Sequence, residues 1–167
     1  MGLAINDPTT FYNLVNGTSK GPFADPPNTR PGNELRFLRQ IEQESQVYST
    51  AIKSAADKAS NKATYPTGNS LADQLKIVAR LIAGGLKTRV YMVTLGGFDT
   101  HSAQVDTTDT TQGAHATLLG RLSTAVKAFY DDLKLLGADT RVLTMSFSEF
   151  GRRVQSNASA GTDHGTA

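Results

Sequence analysis

Residues 88–95 read TRVYMVTL, and residues 140–147 read TRVLTMSF. Both stretches carry β-branched and apolar side chains on both faces, which is typical of strands buried in a parallel sheet. Between them, from Gly113 to Leu136, apolar side chains recur at three- and four-residue steps, which predicts an amphipathic helix ended by Gly137. Strand, helix and strand in this order form a βαβ unit with parallel strands and a right-handed crossover. We therefore assign the chain to the α/β class.

Two further helices are predicted ahead of this unit, so the N-terminal half is expected to be helix-rich. Apolar side chains recur every three or four residues from residue 33 to about residue 61, as in a long amphipathic helix. A shorter helix is predicted from a cap at Asn69 or Ser70 to the pair Gly84-Gly85, because polar caps begin helices and glycines end them.

The first 32 residues have a different character. They contain clusters of Gly, Pro, Asn and Asp, which favour turns over regular structure. We therefore divide the chain into an extended N-terminal arm or loop, residues 1–32, and a domain proper, residues 33–167.

Length and composition narrow the class of protein. At roughly 150 residues per domain, 167 residues correspond to one domain or a piece of one. The chain has 38% apolar and 19% charged residues, as globular proteins do, and its lack of Cys excludes disulfides and thiolate metal sites. A net charge of +2 gives no basic patch for nucleic acid, and no apolar run approaches the roughly 20 residues of a membrane span.

Reactive side chains collect after the predicted strands. The segments are GGFDTH at 96–101, SEFGRR at 148–153 and GTDHG at 161–165. In open α/β sheets, ligands bind beyond the carboxyl ends of the strands, where such loops meet. Aspartate oxygen and histidine nitrogen are ligands suited to Zn²⁺ or Mn²⁺, or to Mg²⁺ where carboxylates dominate. The candidate metal ligands are Asp99, His101, Asp163 and His164.

Each of these residues also has a simpler interpretation. Asp99 and Asp163 each lie two residues after a glycine and can cap a turn through their own side chains. His101 and His164 can be solvated loop residues, and His115, at the start of a helix, is favoured as a packing or capping residue.

Glu149 has the strongest individual signal for function. A carboxylate directly after a buried strand costs desolvation free energy unless something pairs with it, and Arg152 or Arg153 is positioned in sequence to do so. A serine hydrolase is not supported, because neither Ser146 nor Ser148 lies in a Gly-x-Ser-x-Gly elbow.

Taken together, these motifs resemble family 1501 of the domains of unknown function. The resemblance rests on segments 96–101, 143–153 and 161–167, on the helix with His115, and on residues 4–8. It implies an exported bacterial protein, periplasmic or extracellular, of the alkaline phosphatase and sulfatase superfamily. The implied fold is a partial three-layer sandwich with a mostly parallel, alkaline-phosphatase-like sheet.

The resemblance also implies a chemistry. Superfamily members use paired metal ions to hold a phosphoric or sulfuric ester, so the expected cofactors are divalent ions, Zn²⁺ or Mn²⁺ first, with Ca²⁺ and Mg²⁺ as alternatives. Asp99 and His101 resemble one ligand pair, and Asp163 and His164 a second. Glu149 is then a ligand or general base, and Arg152 a contact for the anionic substrate.

The sequence departs from the superfamily pattern in two places. Where sulfatases have Ser-Asp-His-Gly, this chain has Ser148-Glu149-Phe150-Gly151, and a phenylalanine cannot replace a histidine ligand. No buried strand ending in a nucleophile precedes Asn33, and two strands are too few for a doubly wound sheet. We therefore expect an internal piece of a larger ester hydrolase, inactive by itself. The alternative is a catalytically silent binding or assembly domain of an exported surface protein.

Overall fold

The computed structural model of the protein describes residues 5–16 and 25–165. The helices are α1 (Pro8–Asn16), α2 (Arg30–Lys58), α3 (Ser70–Ala83) and α4 (Ala114–Leu135), with a single 3-10 turn at Asp139–Arg141. Two strands of two residues each, β1 (Gly151–Arg152) and β2 (His164–Gly165), pair antiparallel with Arg152 opposite His164.

The chain divides into two compact units. Of the described residues, the first unit comprises 5–16, 25–60 and 77–89, and the second comprises 61–76 and 90–165. Helix α3 contributes its N-terminal half to the second unit and its C-terminal half to the first.

The first unit is built on the long helix α2, against which α1 packs. Thr29 caps the N-terminus of α2 by accepting a hydrogen bond from the amide of Gly32, at 3.3 Å. At the other end, the guanidinium of Arg80 donates to the carbonyls of Ala56, at 2.8 Å, and Ala59, at 3.4 Å. A basic side chain there satisfies carbonyls that lack a partner within the helix.

The second unit is organised around a buried carboxylate on α4. Asp132 is fully buried, and its two oxygens accept four hydrogen bonds. The donors are Asn61 Nδ2 at 2.7 Å, the amides of Lys62 and Ala63 at 2.7 and 3.0 Å, and the hydroxyl of Tyr65 at 3.0 Å. The carboxylate thus fixes the segment 61–65 against α4 and leaves no acceptor unsatisfied.

The second unit also has an apolar core. The buried apolar residues of the second unit include Tyr65, Leu71, Ala72, Leu75, Leu118, Ala125, Phe129, Leu133 and Ala138. Tyr65 comes from the segment before α3, and the others come from α3, α4 and the turn after α4. Leu71, Leu75, Leu118, Phe129 and Leu133 belong to the apolar stripes that the sequence predicts for the two helices.

All three predicted helices are confirmed. The helix predicted over residues 33 to about 61 is α2, the one predicted from Asn69 or Ser70 is α3, and the one predicted from Gly113 to Leu136 is α4. In the stretch predicted as an arm or loop, Pro8–Asn16 is the helix α1, while residues 17–24 lie outside the described residues.

The predicted α/β class is wrong. The described residues contain one sheet, the antiparallel pair β1 and β2, and therefore neither a mostly parallel sheet nor an alkaline-phosphatase-like three-layer sandwich. Residues 88–95 have no regular structure, and residues 139–141 form the 3-10 turn. Within the described chain, neither predicted strand makes a ladder of backbone hydrogen bonds with another segment.

The reason is that a β-strand forms only where its backbone can hydrogen-bond to a neighbouring strand. Apolar and β-branched composition predicts that a segment suits a sheet, but it does not provide the partner. At Thr94 a side chain takes the place of a neighbouring strand. The backbone amide of Thr94 donates to Oε1 of Gln74 at 3.0 Å, and its carbonyl accepts from Nε2 of Gln74 at 2.8 Å. Several apolar side chains of these segments are consequently exposed, with Val90 at 82% and Leu143 at 94% exposure.

Among the described helices, none combines the length and the apolar character that crossing a bilayer requires. The expectation of no membrane span agrees with this finding.

Replacing Asp132 by Asn tests the buried carboxylate. The substitution keeps the shape but places an amide NH₂ against hydrogen-bond donors, so we expect the free energy of unfolding to fall by about 2–3 kcal/mol. The matched control is Asp131→Asn, one position earlier on α4, where the aspartate forms an exposed ion pair with Lys127. That variant is expected to change stability by less than about 0.5 kcal/mol. If urea denaturation gave equal losses of stability for the two variants, the stabilising role of the buried Asp132 carboxylate would be contradicted.

The stability of the protein is expected to fall in acid through the same group. Burial raises the pKa of Asp132, but the hydrogen bonds from Asn61, Lys62, Ala63 and Tyr65 outweigh it and hold the pKa below the ordinary value of 3.8. The unfolded chain then binds the proton more readily, so the stabilisation is complete above that value and is lost as pH falls through the folded pKa. Urea denaturation of wild type and Asp132→Asn should therefore give a difference in stability that shrinks from pH 6 to pH 3.

Candidate metal centre

Three side chains of the second unit converge on one carboxylate oxygen. Oδ1 of Asp99 lies 2.9 Å from Nδ1 of His101 and 2.8 Å from Nε2 of His164. The two imidazole rings are 4.7 Å apart between centroids. One ligand atom from each residue lies within 4.8 Å of the other two, so the three can serve a single metal ion. We refer to Asp99, His101 and His164 as the triad.

The triad is open to solvent, and its carboxylate is ionised at neutral pH. The side chains of Asp99, His101 and His164 are 59%, 48% and 45% exposed. The hydrogen bond with His164 is the main cause that holds the pKa of Asp99 below its ordinary value, and the charges of His101 and Arg152 act in the same direction. Asp99 is therefore ionised and able to act as a ligand.

The guanidinium of Arg152 joins the two segments that carry the triad. It donates to the carbonyl of Phe98 and, at 3.4 Å, to that of Thr100, on either side of Asp99. It also donates to the carbonyl of Thr162 and, at 2.9 Å, to its hydroxyl. Arg152 is only 17% exposed, and its Nη2 lies 3.9 Å from Oδ1 of Asp99. Its hydrogen-bonding capacity is thus largely taken up by backbone, whereas the sequence suggested a contact for a substrate anion.

Backbone contacts reinforce this junction. The amides of Ala103 and Gln104 donate to the carbonyls of Ser159 and Ala160, both at 2.9 Å. Gly161 lies so close to His101 that a Cβ at position 161 would be 2.2 Å from the carbonyl oxygen of His101. Glycine is required at position 161 because any side chain would push the two segments apart.

Two polar residues that are not among the predicted site residues, Asn157 and Gln104, support the same region. The side-chain nitrogen Nδ2 of Asn157 donates to the carbonyl of His101 at 2.8 Å. The side-chain oxygen Oδ1 of Asn157 accepts from the backbone amides of Ser159 and Gly161. Gln104 Oε1 accepts from the hydroxyl of Thr162 at 2.7 Å. An asparagine followed by small residues and glycine is a signal for such a turn, and it was available in the sequence.

The structure brings together three of the four predicted ligands. Asp163 lies outside the triad, and its Oδ1 accepts a hydrogen bond from Asn157 at 3.1 Å. His115 also stands apart and packs edge-on against Phe98, with centroids 6.0 Å apart, as a packing residue would. Glu149 is exposed and makes no hydrogen bond or ion pair within the described residues, so it is not the partner of an arginine.

Phe150 occupies the position at which the resemblance drawn from the sequence calls for a histidine. Its ring stacks on the ring of His164, with centroids 4.1 Å apart and planes inclined by 19°. The guanidinium carbon of Arg152 lies 5.3 Å from the centre of the same phenyl ring. Phe150 therefore contacts a triad residue without being able to bind a metal.

Removing His164 should release the carboxyl of Asp99. In His164→Leu, the hydrogen bond that chiefly lowers the pKa of Asp99 is lost, so the titration midpoint of its carboxyl should move upward toward the ordinary value. The measurement is the pH dependence of the Asp99 carboxyl ¹³C chemical shift. The control, His115→Leu, removes a histidine outside the triad and should leave the midpoint in place. An unchanged midpoint in both variants would show that the contact does not persist in solution.

Comparison with known proteins gives a family but no characterised relative. The chain matches the model of the family described as protein of unknown function (DUF1501) over residues 30–167. No curated protein and no solved structure matches it. Because the matched region contains α2 to α4, the Arg152 junction and the triad, and spans more than half of the sequence, the chain belongs to the DUF1501 family.

Proposed function

We propose that the triad binds a divalent transition-metal ion and that the protein uses it on a phosphoric or sulfuric ester. The observation that supports this proposal is the convergence of Asp99, His101 and His164 within 4.8 Å of one another. Asp99 and His101 are close in sequence, but His164 is 65 positions away from Asp99. Folding of the chain, and not sequence proximity, therefore brings His164 to the other two residues.

The ligand atoms fit such an ion. Two imidazole nitrogens and one carboxylate oxygen favour Zn²⁺ or Mn²⁺ over Ca²⁺ and Mg²⁺, which prefer oxygen ligands alone. Three protein ligands leave room for further ligands, and the exposure of the triad leaves that side accessible. Asp99, His101 and His164 would hold the ion, which would supply Lewis-acid polarisation of a phosphoryl or sulfuryl oxygen, the chemistry that the resemblance to the alkaline phosphatase and sulfatase superfamily implies.

The surrounding residues suit an anionic substrate. A bound divalent ion would outweigh the single negative charge of Asp99, and Arg152 adds a positive charge 3.9 Å from that carboxylate. Glu149, exposed on the segment that leads into β1, is the carboxylate we assign as additional ligand or general base. In this proposal Asp163 is not a metal ligand, and it supports the site indirectly by accepting a hydrogen bond from Asn157.

A second candidate function is binding or assembly without catalysis, in a periplasmic or extracellular protein. Leu143, Met145 and Phe147 favour it, since these apolar side chains are 94%, 82% and 75% exposed along one extended segment. Exposed apolar surface of this kind is typical of interaction sites.

Metal binding is the first test of the proposal. Metal-free protein titrated with Zn²⁺ in a calorimeter should bind one ion per chain. His164→Leu should weaken binding at least tenfold, because it removes one of three ligands, whereas His115→Leu should bind as wild type does. Equal Zn²⁺ affinity in the two variants would contradict the triad as the site.

Hydrolysis separates the two candidate functions. Zinc-loaded or manganese-loaded protein is assayed with 4-nitrophenyl phosphate and 4-nitrophenyl sulfate. Hydrolysis that is absent in His164→Leu and present in His115→Leu supports the ester hydrolase. Stoichiometric metal without hydrolysis of either ester favours the binding or assembly domain.

A further inference from the structure

We infer that Arg152 and Phe150 are positioning residues of the metal centre: they set the geometry of the triad without contacting the ion or the substrate. This inference goes beyond the metal binding proposed above, on which its affinity measurement rests. It assigns to Arg152 a different role from substrate binding, and it gives Phe150 a role in place of the missing histidine.

Arg152 is built into the site as a fork. Its guanidinium donates to backbone carbonyls at Phe98 and Thr100, which flank Asp99, and to Thr162, two residues before His164. Charge-assisted hydrogen bonds from a planar guanidinium fix direction as well as distance. The position of Asp99 relative to His164 therefore depends on one side chain that spans both segments.

The strand pairing alone is too short to do this. β1 and β2 comprise two residues each, and an isolated two-stranded ribbon is marginally stable even when longer. Arg152 lies directly opposite His164 in this pair. A shift in the pairing of β1 with β2 would therefore move the ligand His164 relative to the guanidinium fork of Arg152. Loss of the fork should let β2 shift and carry His164 away from Asp99.

Phe150 acts on the orientation of the imidazole. Its ring lies against the face of His164, 4.1 Å between centroids and within 19° of parallel. Rotation of the imidazole about its χ2 bond would break this stack. The phenyl ring therefore helps to hold Nε2 of His164 toward Asp99, in the way that outer residues orient the ligands of many metal sites.

The test compares arginine with lysine at two adjacent positions. Arg152→Lys keeps the positive charge beside Asp99 but cannot make the planar fork. The matched control is Arg153→Lys, because Arg153 is exposed and its side chain makes no hydrogen bond within the described residues. Zn²⁺ affinity, measured by competition with a chromophoric chelator, should fall about 10–100-fold in Arg152→Lys and stay within twofold of wild type in Arg153→Lys.

A second variant addresses the phenyl ring. Phe150→Leu keeps an apolar side chain and leaves the Arg152 fork in place, and we expect it to lower Zn²⁺ affinity by severalfold. Thermal melting of the metal-free proteins is recorded alongside. Should Arg152→Lys fail to fold, Phe150→Leu and Thr162→Val, which removes one acceptor of the fork, decide in its place. Wild-type affinity in every folded variant would overturn the inference.

A readout without metal distinguishes this inference from the metal binding itself. In metal-free wild type, the His101 and His164 rings should give a nuclear Overhauser effect, since their centroids are 4.7 Å apart. It should disappear in Arg152→Lys and persist in Arg153→Lys. If wild type binds no Zn²⁺ but the effect follows this pattern, the metal proposal fails and the positioning role stands. If the effect is the same in all three proteins, the positioning role fails whatever the metal result.

Discussion

The guanidinium of Arg152 is the interaction on which the candidate site depends. Segments 96–101 and 161–165 have little regular structure of their own, and a loop without such structure holds its shape only through specific contacts. Arg152 provides them by donating to carbonyls of both segments, while Gly161 lets the two backbones approach. The triad is therefore a property of this junction, and each triad residue alone is an ordinary exposed side chain.

The same physical principle operates at Asp132. There a buried carboxylate gathers backbone amides and neutral side chains of segment 61–65, and at Arg152 a largely buried guanidinium gathers backbone carbonyls. In both places a charge is satisfied mainly by neutral groups of a loop, which costs less than leaving it unpaired and fixes the loop in one conformation. The second unit thus obtains its order from two polar centres as well as from its apolar core.

What the sequence could predict follows from the range of the interactions involved. Helices α2, α3 and α4 were predicted because a helix pairs its own backbone and shows its buried face every three or four residues. The strands at 88–95 and 140–147 were not correctly predicted, because strand pairing is a relation between distant segments that composition does not encode. The grouping of Asp99, His101 and His164 was expected from their segments, whereas the side-chain partners of Arg152 and Asp163 depend on tertiary contacts.

The exposed segment from Val142 to Phe147 has a consequence for handling the protein. From Leu143 to Phe147 it is apolar at alternate positions, it contains neither charge nor proline, and the nearest charged residues on either side are Arg141 and Glu149. Such a window is a template for intermolecular cross-β pairing, against which flanking charges act as gatekeepers. Colloidal behaviour should accordingly be governed by this short stretch: concentrated solutions at high ionic strength, where the flanking charges are screened, are the conditions that promote fibrillar or amorphous association.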